Sequence, residues 1–422
     1  MSLLVFVILL LASPLLFTTL SAYASEQYLV ADPDGNTLSI ITPAGARTEI
    51  YHFSSQTTHG AYDVTLDASG NYIVIEVREL ETDILSKVTP SGEYTVIYTF
   101  PVYTSPSGVK VDPSGNYIVT ERNKQILSKI TPAGTRTVLY NFTGENITPS
   151  DVTIDASGNY IVTQSSPAAI SKITPAGIRT AVYNYTQSNP NMIEIDSAGN
   201  YIITETTLGI LSKITPAGTR TVLYDFNAIE TYTRPIGVAI DPSGNYIVTT
   251  EMTSGSGHLG PATVSRVTPA GVRTVIYTGV GVAGSGLGGV VYLALPPFAV
   301  TLSNPSEITE TSMKLSWTAC SDSDFKNYTV YMSTDQGSLG TPITTITNNA
   351  TISYTATNLS PDTAYYFKVR VYDAGNLYVD SNQLTGKTST ATAPLPILPI
   401  ALVLVAVVVA IGVFFILRMR KH

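Results

Sequence analysis

Between residues 26 and 280 short apolar runs and polar turns alternate at a steady beat. Asp-x-Ser-Gly-Asn-Tyr-Ile recurs with near identity, its Gly-Asn falling at 70, 115, 158, 199 and 244, at intervals of 45, 43, 41 and 45 residues. Thr-Pro-x-Gly begins at Thr42, Thr89, Thr131, Thr174, Thr215 and Thr268. Each period holds four runs of strand length. Around Asn159 these are Asp151 to Asp155 (a), Asn159 to Thr163 (b), Ala169 to Thr174 (c) and Arg179 to Tyr185 (d). Strands a and b are apolar or β-branched on both faces, as befits strands covered on both sides. Strands c and d carry a recurring cation, Lys87, Lys129, Lys172, Lys213 and Arg266 on c, and Arg136, Arg179, Arg220 and Arg273 on d. These read as solvated charges that discourage edge pairing. The two repeated motifs supply Pro, Gly and a backbone-bonding Asp or Thr, so they predict tight hairpins.

A period of 40 to 50 residues with four strands predicts the blades of a β-propeller. The first repeat lacks strand a and opens on Tyr28-Leu29-Val30-Ala31-Asp32. Gly289-Val290-Val291-Tyr292-Leu293 matches the strand a of the last repeat, Gly237-Val238-Ala239-Ile240-Asp241, and is expected to return and complete blade one. That closes six blades into a ring without open edges. On these motifs residues 25–296 resemble NHL-type propellers and, more loosely, the streptogramin lyases and gluconolactonases. The resemblance implies a fold rather than a function, because propellers host many functions.

Residues 297–388 do not repeat. Trp317 stands in Lys314-Leu315-Ser316-Trp317-Thr318, and Leu359-Ser360-Pro361-Asp362-Thr363-Ala364-Tyr365 precedes Phe367-Lys368-Val369-Arg370-Val371. This resembles a fibronectin type III domain, with its core Trp and its Tyr at a strand corner. The expected fold class is therefore all-β, a six-bladed propeller followed by a β-sandwich. Residues 1–24 read as a signal peptide, with an apolar core and Ala22-Tyr23-Ala24 as the small-x-small site. Residues 389–396 read as a stalk. The uncharged run 397–417 is long enough, at about 1.5 Å per residue, to cross a bilayer core as one helix. Arg418, Arg420 and Lys421 after it predict a cytoplasmic tail at 418–422. The expectation is a single-pass protein of the cell membrane, its N-terminal bulk extracellular and its C-terminal helix in the membrane.

Composition narrows the partners. A formal charge of −8 and only 13% charged residues leave no basic stripe for nucleic acid. Cys320 is the sole cysteine, so packing rather than disulfides must stabilise the chain. Asn-x-Ser/Thr acceptors at Asn141, Asn146, Asn184, Asn327, Asn349 and Asn358 are candidate glycosylation sites. An extracellular protein or glycan is the expected ligand.

Candidate chemistry is sparse. Gly279-Val280-Gly281-Val282-Ala283-Gly284 fits GxGxxG, but no βαβ unit surrounds it and it reads as a crossover. Asp32-Pro33-Asp34 opens like a calcium loop, but Pro43 stands where the closing Glu belongs, leaving only a looser calcium site. Asp32, Glu76, Glu121, Gln164, Glu205 and Thr250 occupy equivalent positions at the ends of strands b, with Glu251 adjacent. One reading sets them around a channel mouth holding a divalent cation, calcium or magnesium. The other has each carboxylate bond the backbone of its own b–c loop. Asp32, Glu76, Glu121, Glu205, Glu251 and His258, in the longest b–c loop, are the candidate ligand or cation residues. The b–c and d–a connections, among them Val77 to Asp83, Arg122 to Gln125, Ser165 to Ala168 and Glu251 to Ala262, emerge together and differ between blades. That face is the expected interaction surface. The main reading is a binding or structural surface protein. A metal-dependent ectoenzyme of lyase or lactonase type is the alternative.

Overall fold

The computed structural model describes residues 26–53, 60–78, 82–228, 233–252, 260–279, 287–322, 325–392 and 411. The expected signal peptide, the membrane helix apart from Ile411, the tail and His258 lie outside the described residues. Among the described residues no helix is long and apolar enough to cross a membrane. All regular structure there is strand apart from one 3-10 turn, Thr143–Glu145, and a helical Ile411. The chain forms two compact units, a propeller and a sandwich.

Six four-stranded antiparallel sheets form the propeller. Blades 2 to 6 span residues 61–99, 106–141, 148–184, 190–225 and 233–278, each running a to d in chain order. Blade 1 is completed as the sequence predicts: Val290–Ala294 pairs antiparallel with Glu26–Asp32, Val30 opposite Val290 and Glu26 opposite Ala294. The innermost strands touch in the cyclic order 1-2-3-4-5-6-1, so blades 3 and 6 face each other across the channel.

Strands b of blades 2, 3 and 5 are buried along their length because a neighbouring blade covers each face. The apolar clusters accordingly lie between blades, as with Ile73, Ile75, Val109 and Val119 of blades 2 and 3. Strands d are the half-exposed outer edges. Aromatic pairs recur along them and just beyond their ends. Tyr140 and Phe142 meet edge-on at 4.7 Å, Tyr224 and Phe226 at 4.8 Å, and both phenylalanines are fully buried.

The innermost strands have an edge without a strand partner, and side chains of adjacent blades supply the missing bonds. The hydroxyls of Thr120, Thr163, Thr204 and Thr249, all on strands b, donate to the carbonyls of Ser150, Asn191, Ile236 and Gly288 of the next blade at 2.6–3.1 Å. At the closure Gly288 and Gly289 are wedged between blades. A Cβ on Gly288 would sit 2.3 Å from the Tyr62 carbonyl and one on Gly289 2.1 Å from the Asp63 carboxylate, so only glycine fits. The Asp-x-Ser-Gly-Asn segments are hairpin turns. Asp112 accepts from the Ser114 and Asn116 amides, and Gly115 sits at a φ of 80°.

In the second unit Leu302–Ser306, Met313–Trp317 and Ser353–Ala356 form one sheet. Phe325–Ser333, Thr341–Ile346, Ala364–Asp373 and Tyr378–Asp380 form the other, with Leu384–Lys387 paired to Ala364–Asp373. Ala364–Asp373 alternates half-buried and buried positions, the period-two signature of a sheet packed on one side. Trp317 packs edge-on against Tyr328 at 5.6 Å. The Tyr365 hydroxyl accepts from the Ser360 amide at 2.8 Å, forming the expected corner. Part of the expected stalk is held by the sandwich, since the Ser389 amide donates to the Thr309 carbonyl and the Thr392 amide to Glu310.

Candidate functional site

Every strand b carries, at or near its end, a polar side chain that turns back into its own blade. Glu121 and Glu205 are fully buried, and each takes a two-pronged pair of bonds from a strand-d arginine, Arg136 and Arg220, all at 2.7 Å. A strand-c serine hydroxyl, Ser128 or Ser212, completes each set. Gln164 donates to Ser171 at 2.7 Å and accepts from Arg179 at 3.4 Å. Asp32 accepts from Arg47 at 2.9 Å and from the Gly35 amide at 2.7 Å. In blade 2, where Tyr94 stands in place of the arginine, Glu76 accepts from the Tyr94 hydroxyl at 2.9 Å and from Arg78 at 2.6 Å. Thr250 bonds Thr263, and Arg273 donates to Thr263 and Ser265. A buried carboxylate is tolerable only when paired and hydrogen-bonded, and the forked guanidinium does both.

Three expectations change with this. Asp32, Glu76, Glu121 and Glu205 do not converge on the channel, because each is bound within its own blade. Backbone bonding in the b–c loop is not their main role either; only Asp32 shows it. The strand-d arginines Arg136, Arg179 and Arg220 are not solvated edge charges but partners of the strand-b ends. Asp32 of the proposed calcium loop is likewise committed to Arg47. Among the described residues no group of three or more His, Cys, Asp and Glu is arranged to hold a metal ion.

The next residue on each chain does converge. Pro33, Val77, Arg122, Ser165, Thr206 and Glu251 each follow the position just described, and all six line one pocket of about 520 Å³ at the channel mouth. Successive residues of a strand point to opposite sides, so a one-residue step exchanges the blade interior for the mouth. The starts of strands a and the residues before them complete the wall with Tyr62, Ser150, Asn189, Asn191, Arg234 and Ile236. Of the candidates named from the sequence, Glu251 lies here. Arg234 holds it at 2.6 Å. Burial pushes the Glu251 carboxyl above its usual range, Arg234 pulls it down and nearby Asp34 pushes it up.

Tyr62 also lines the pocket. Its ring packs against the apolar clusters of blades 2 and 3 and of blades 5 and 6, so it reaches across the channel. Burial raises the phenol pKa, against the opposing charge of Arg122. Deeper along strands a lie Asp63 and Asp151, both buried. Asp63 accepts from the Val109 amide and Asp151 from the Ile193 amide, each at 2.9 Å, tying blade 2 to 3 and blade 4 to 5. Lys110 pairs with Glu194 beside them. Burial pushes the Asp63 carboxyl up to about 6, and burial with the neighbouring Asp63 charge pushes Asp151 well above the usual range.

Elsewhere, His52 is exposed and lies 3.6 Å from Glu49. Of the glycosylation candidates, Asn141, Asn146, Asn184 and Asn358 are exposed, while Asn327 and Asn349 are half-buried and Asn349 accepts from the Tyr328 hydroxyl. Cys320 is buried and, as the sole cysteine, takes part in no disulfide within the chain.

The fibronectin type III domain family matches residues 296–387. No curated protein matches the sequence. Among solved structures the chain is similar to virginiamycin B lyase from Staphylococcus aureus, at 19% identity over 60% of this chain and 84% of that one, with a TM-score of 0.44. It is similar to a putative gluconolactonase at 14% identity, 60% and 85% coverage and a TM-score of 0.41. The extracellular domain of a putative one-component system from B. thetaiotaomicron is similar at 11% identity, 88% and 56% coverage and a TM-score of 0.40. The assignment as a six-bladed propeller rests on the six closed sheets themselves, and residues 296–387 are a fibronectin type III domain.

Proposed function

We propose that this chain is a membrane-anchored protein of the cell surface whose propeller mouth binds an extracellular ligand, with the fibronectin type III domain as the spacer toward the membrane. The observation that carries the reading is the ring of Pro33, Val77, Arg122, Ser165, Thr206 and Glu251, six different side chains on one near-repeated scaffold, lining one pocket. A repeat that keeps its framework residues and varies one position in every blade builds an asymmetric site on a rigid support. A volume of about 520 Å³ lies inside the roughly 300–1,000 Å³ of small-ligand sites. The orientation rests on the apolar run and basic end of the sequence. The metal-dependent ectoenzyme gains no support from Asp32, Glu76, Glu121 and Glu205, whose charges arginines or a tyrosine already engage.

Filling the pocket tests the reading. Thr206→Trp in the full-length protein is expected to abolish capture on arrays of extracellular glycans and surface proteins. Ser157→Trp, in a hairpin at the other end of blade 4, is expected to leave capture intact. Equal capture by wild type and Thr206→Trp would remove the mouth as the binding site. For orientation, protease treatment of intact cells should release propeller fragments.

A further inference from the structure

Two side chains of the mouth are chemically uncommitted. Arg47, Arg136, Arg179, Arg220, Arg234 and Arg266 each reach a carboxylate. Among the described residues Arg122 reaches none, although it lines the pocket. The Tyr62 hydroxyl likewise has no hydrogen-bond partner among them, and Tyr62 lines the same pocket. The two come from neighbouring blades, Arg122 just past strand b of blade 3 and Tyr62 on strand a of blade 2. They are close enough for the Arg122 charge to act on the phenol, which burial keeps protonated. A forked guanidinium with a hydroxyl donor beside it suits a carboxylate. A phosphate, with up to about two charges, suits it less, because Asp34 and Glu251 share the mouth.

The rest of the wall narrows the ligand. Ser165, Thr206, Asn189 and Asn191 also line it, and their hydroxyls and amides both donate and accept. Sugar hydroxyls do the same. A peptide would instead ask for a strand edge with free main-chain groups. On the innermost strands several of these are already taken. Threonine hydroxyls bind the Ser150, Asn191, Ile236 and Gly288 carbonyls, and Asp63 and Asp151 hold the Val109 and Ile193 amides.

We infer that the mouth binds an acidic glycan through a uronic acid residue. Its carboxylate sits on Arg122 and the Tyr62 hydroxyl, and its ring hydroxyls meet the neutral side chains of blades 4 and 5. The inference rests on the mouth being the binding site and specifies what that site recognises.

The test uses glucuronate, galacturonate and mannuronate as probes on the full-length protein, each beside its methyl ester. Saturation-transfer NMR titration is the readout, and trialanine serves as the peptide probe. At least one uronate is expected to bind. Its ester, which keeps the hydroxyls but not the charge, should bind at least tenfold more weakly. Arg122→Gln should erase the difference between acid and ester, and Tyr62→Phe should reduce it severalfold. The ester, bound equally by wild type and Arg122→Gln, reports that the variant site is intact. Equal binding of acid and ester by wild type, binding of trialanine in place of every uronate, or no binding of any probe would overturn the inference. In the last case the mouth itself is judged separately: loss of array capture in Thr206→Trp would keep it as a site for another ligand, and unchanged capture would remove both readings.

Discussion

Two rings of side chains, one residue apart at the ends of the six strands b, behave in opposite ways. The first, Asp32, Glu76, Glu121, Gln164, Glu205 and Thr250, is nearly uniform, buried and bound to strands c and d of its own blade. The second, Pro33, Val77, Arg122, Ser165, Thr206 and Glu251, shares no residue type between blades and faces the pocket. The contrast teaches that in a repeat structure uniformity marks what each unit needs to fold. Variation on one face marks where the units together form a site.

The largest effect expected from breaking the first ring is at Arg220. Arg220→Ala strands the fully buried Glu205 carboxylate without its countercharge, and the loss of one partner of a buried pair costs about 3–5 kcal/mol. Urea unfolding of the full-length protein should show this as a clear fall in midpoint, and Glu205→Gln added to Arg220→Ala should restore part of it.

Thr249→Val should cost less, about 1–3 kcal/mol. Its hydroxyl donates to Gly288 and accepts from the Gly237 amide at the seam where the ring closes, and valine leaves both backbone groups unmatched. The same unfolding experiment reads the difference.

The inner channel sharpens the comparison, because its carboxylates lean on backbone amides rather than on a bidentate arginine. Asp63 has its folded pKa raised from 3.8 to about 6, and a raised acid stabilises the fold below its unfolded value and loses that stabilisation as pH rises through the folded one. Asp63→Asn keeps an acceptor for Val109 but removes the titration. Its stability relative to wild type should therefore rise between pH 4 and pH 6 and level off above. A difference that is flat across that range would contradict the placement.

The smallest stability effect belongs to the second ring. Arg122→Gln should change unfolding by less than about 0.5 kcal/mol, as surface substitutions away from buried networks do.

Much of the architecture was legible because it is periodic. The Gly-Asn and Thr-Pro-x-Gly spacings place the four strands per blade, and Gly289 to Leu293 announces the closing strand by its likeness to Gly237 to Asp241. The site was legible to one residue. Strands b are covered on both faces, so hydrophobic alternation does not tell which side of Glu121 faces the channel. A different signal was present. Asp32 and Arg47, Glu121 and Arg136, Gln164 and Arg179, and Glu205 and Arg220 all stand 15 residues apart, a fixed spacing that marks partners within one blade. Arg122 was legible only as the start of a variable b–c connection and Asp34 only as part of a calcium-like loop, because no repetition singles either out as a wall of the mouth. Tyr62 reaches across the ring, a relation that exists only once the ring is closed.

The division of labour between adjacent residues is tested most directly by urea unfolding of Glu121→Ala and Arg122→Ala in the same full-length background. The account predicts that Glu121→Ala, which leaves Arg136 and Ser128 without their acceptor, loses about 2–4 kcal/mol, while Arg122→Ala unfolds at the wild-type midpoint. Equal destabilisation by the two, or a larger loss at Arg122, would contradict it.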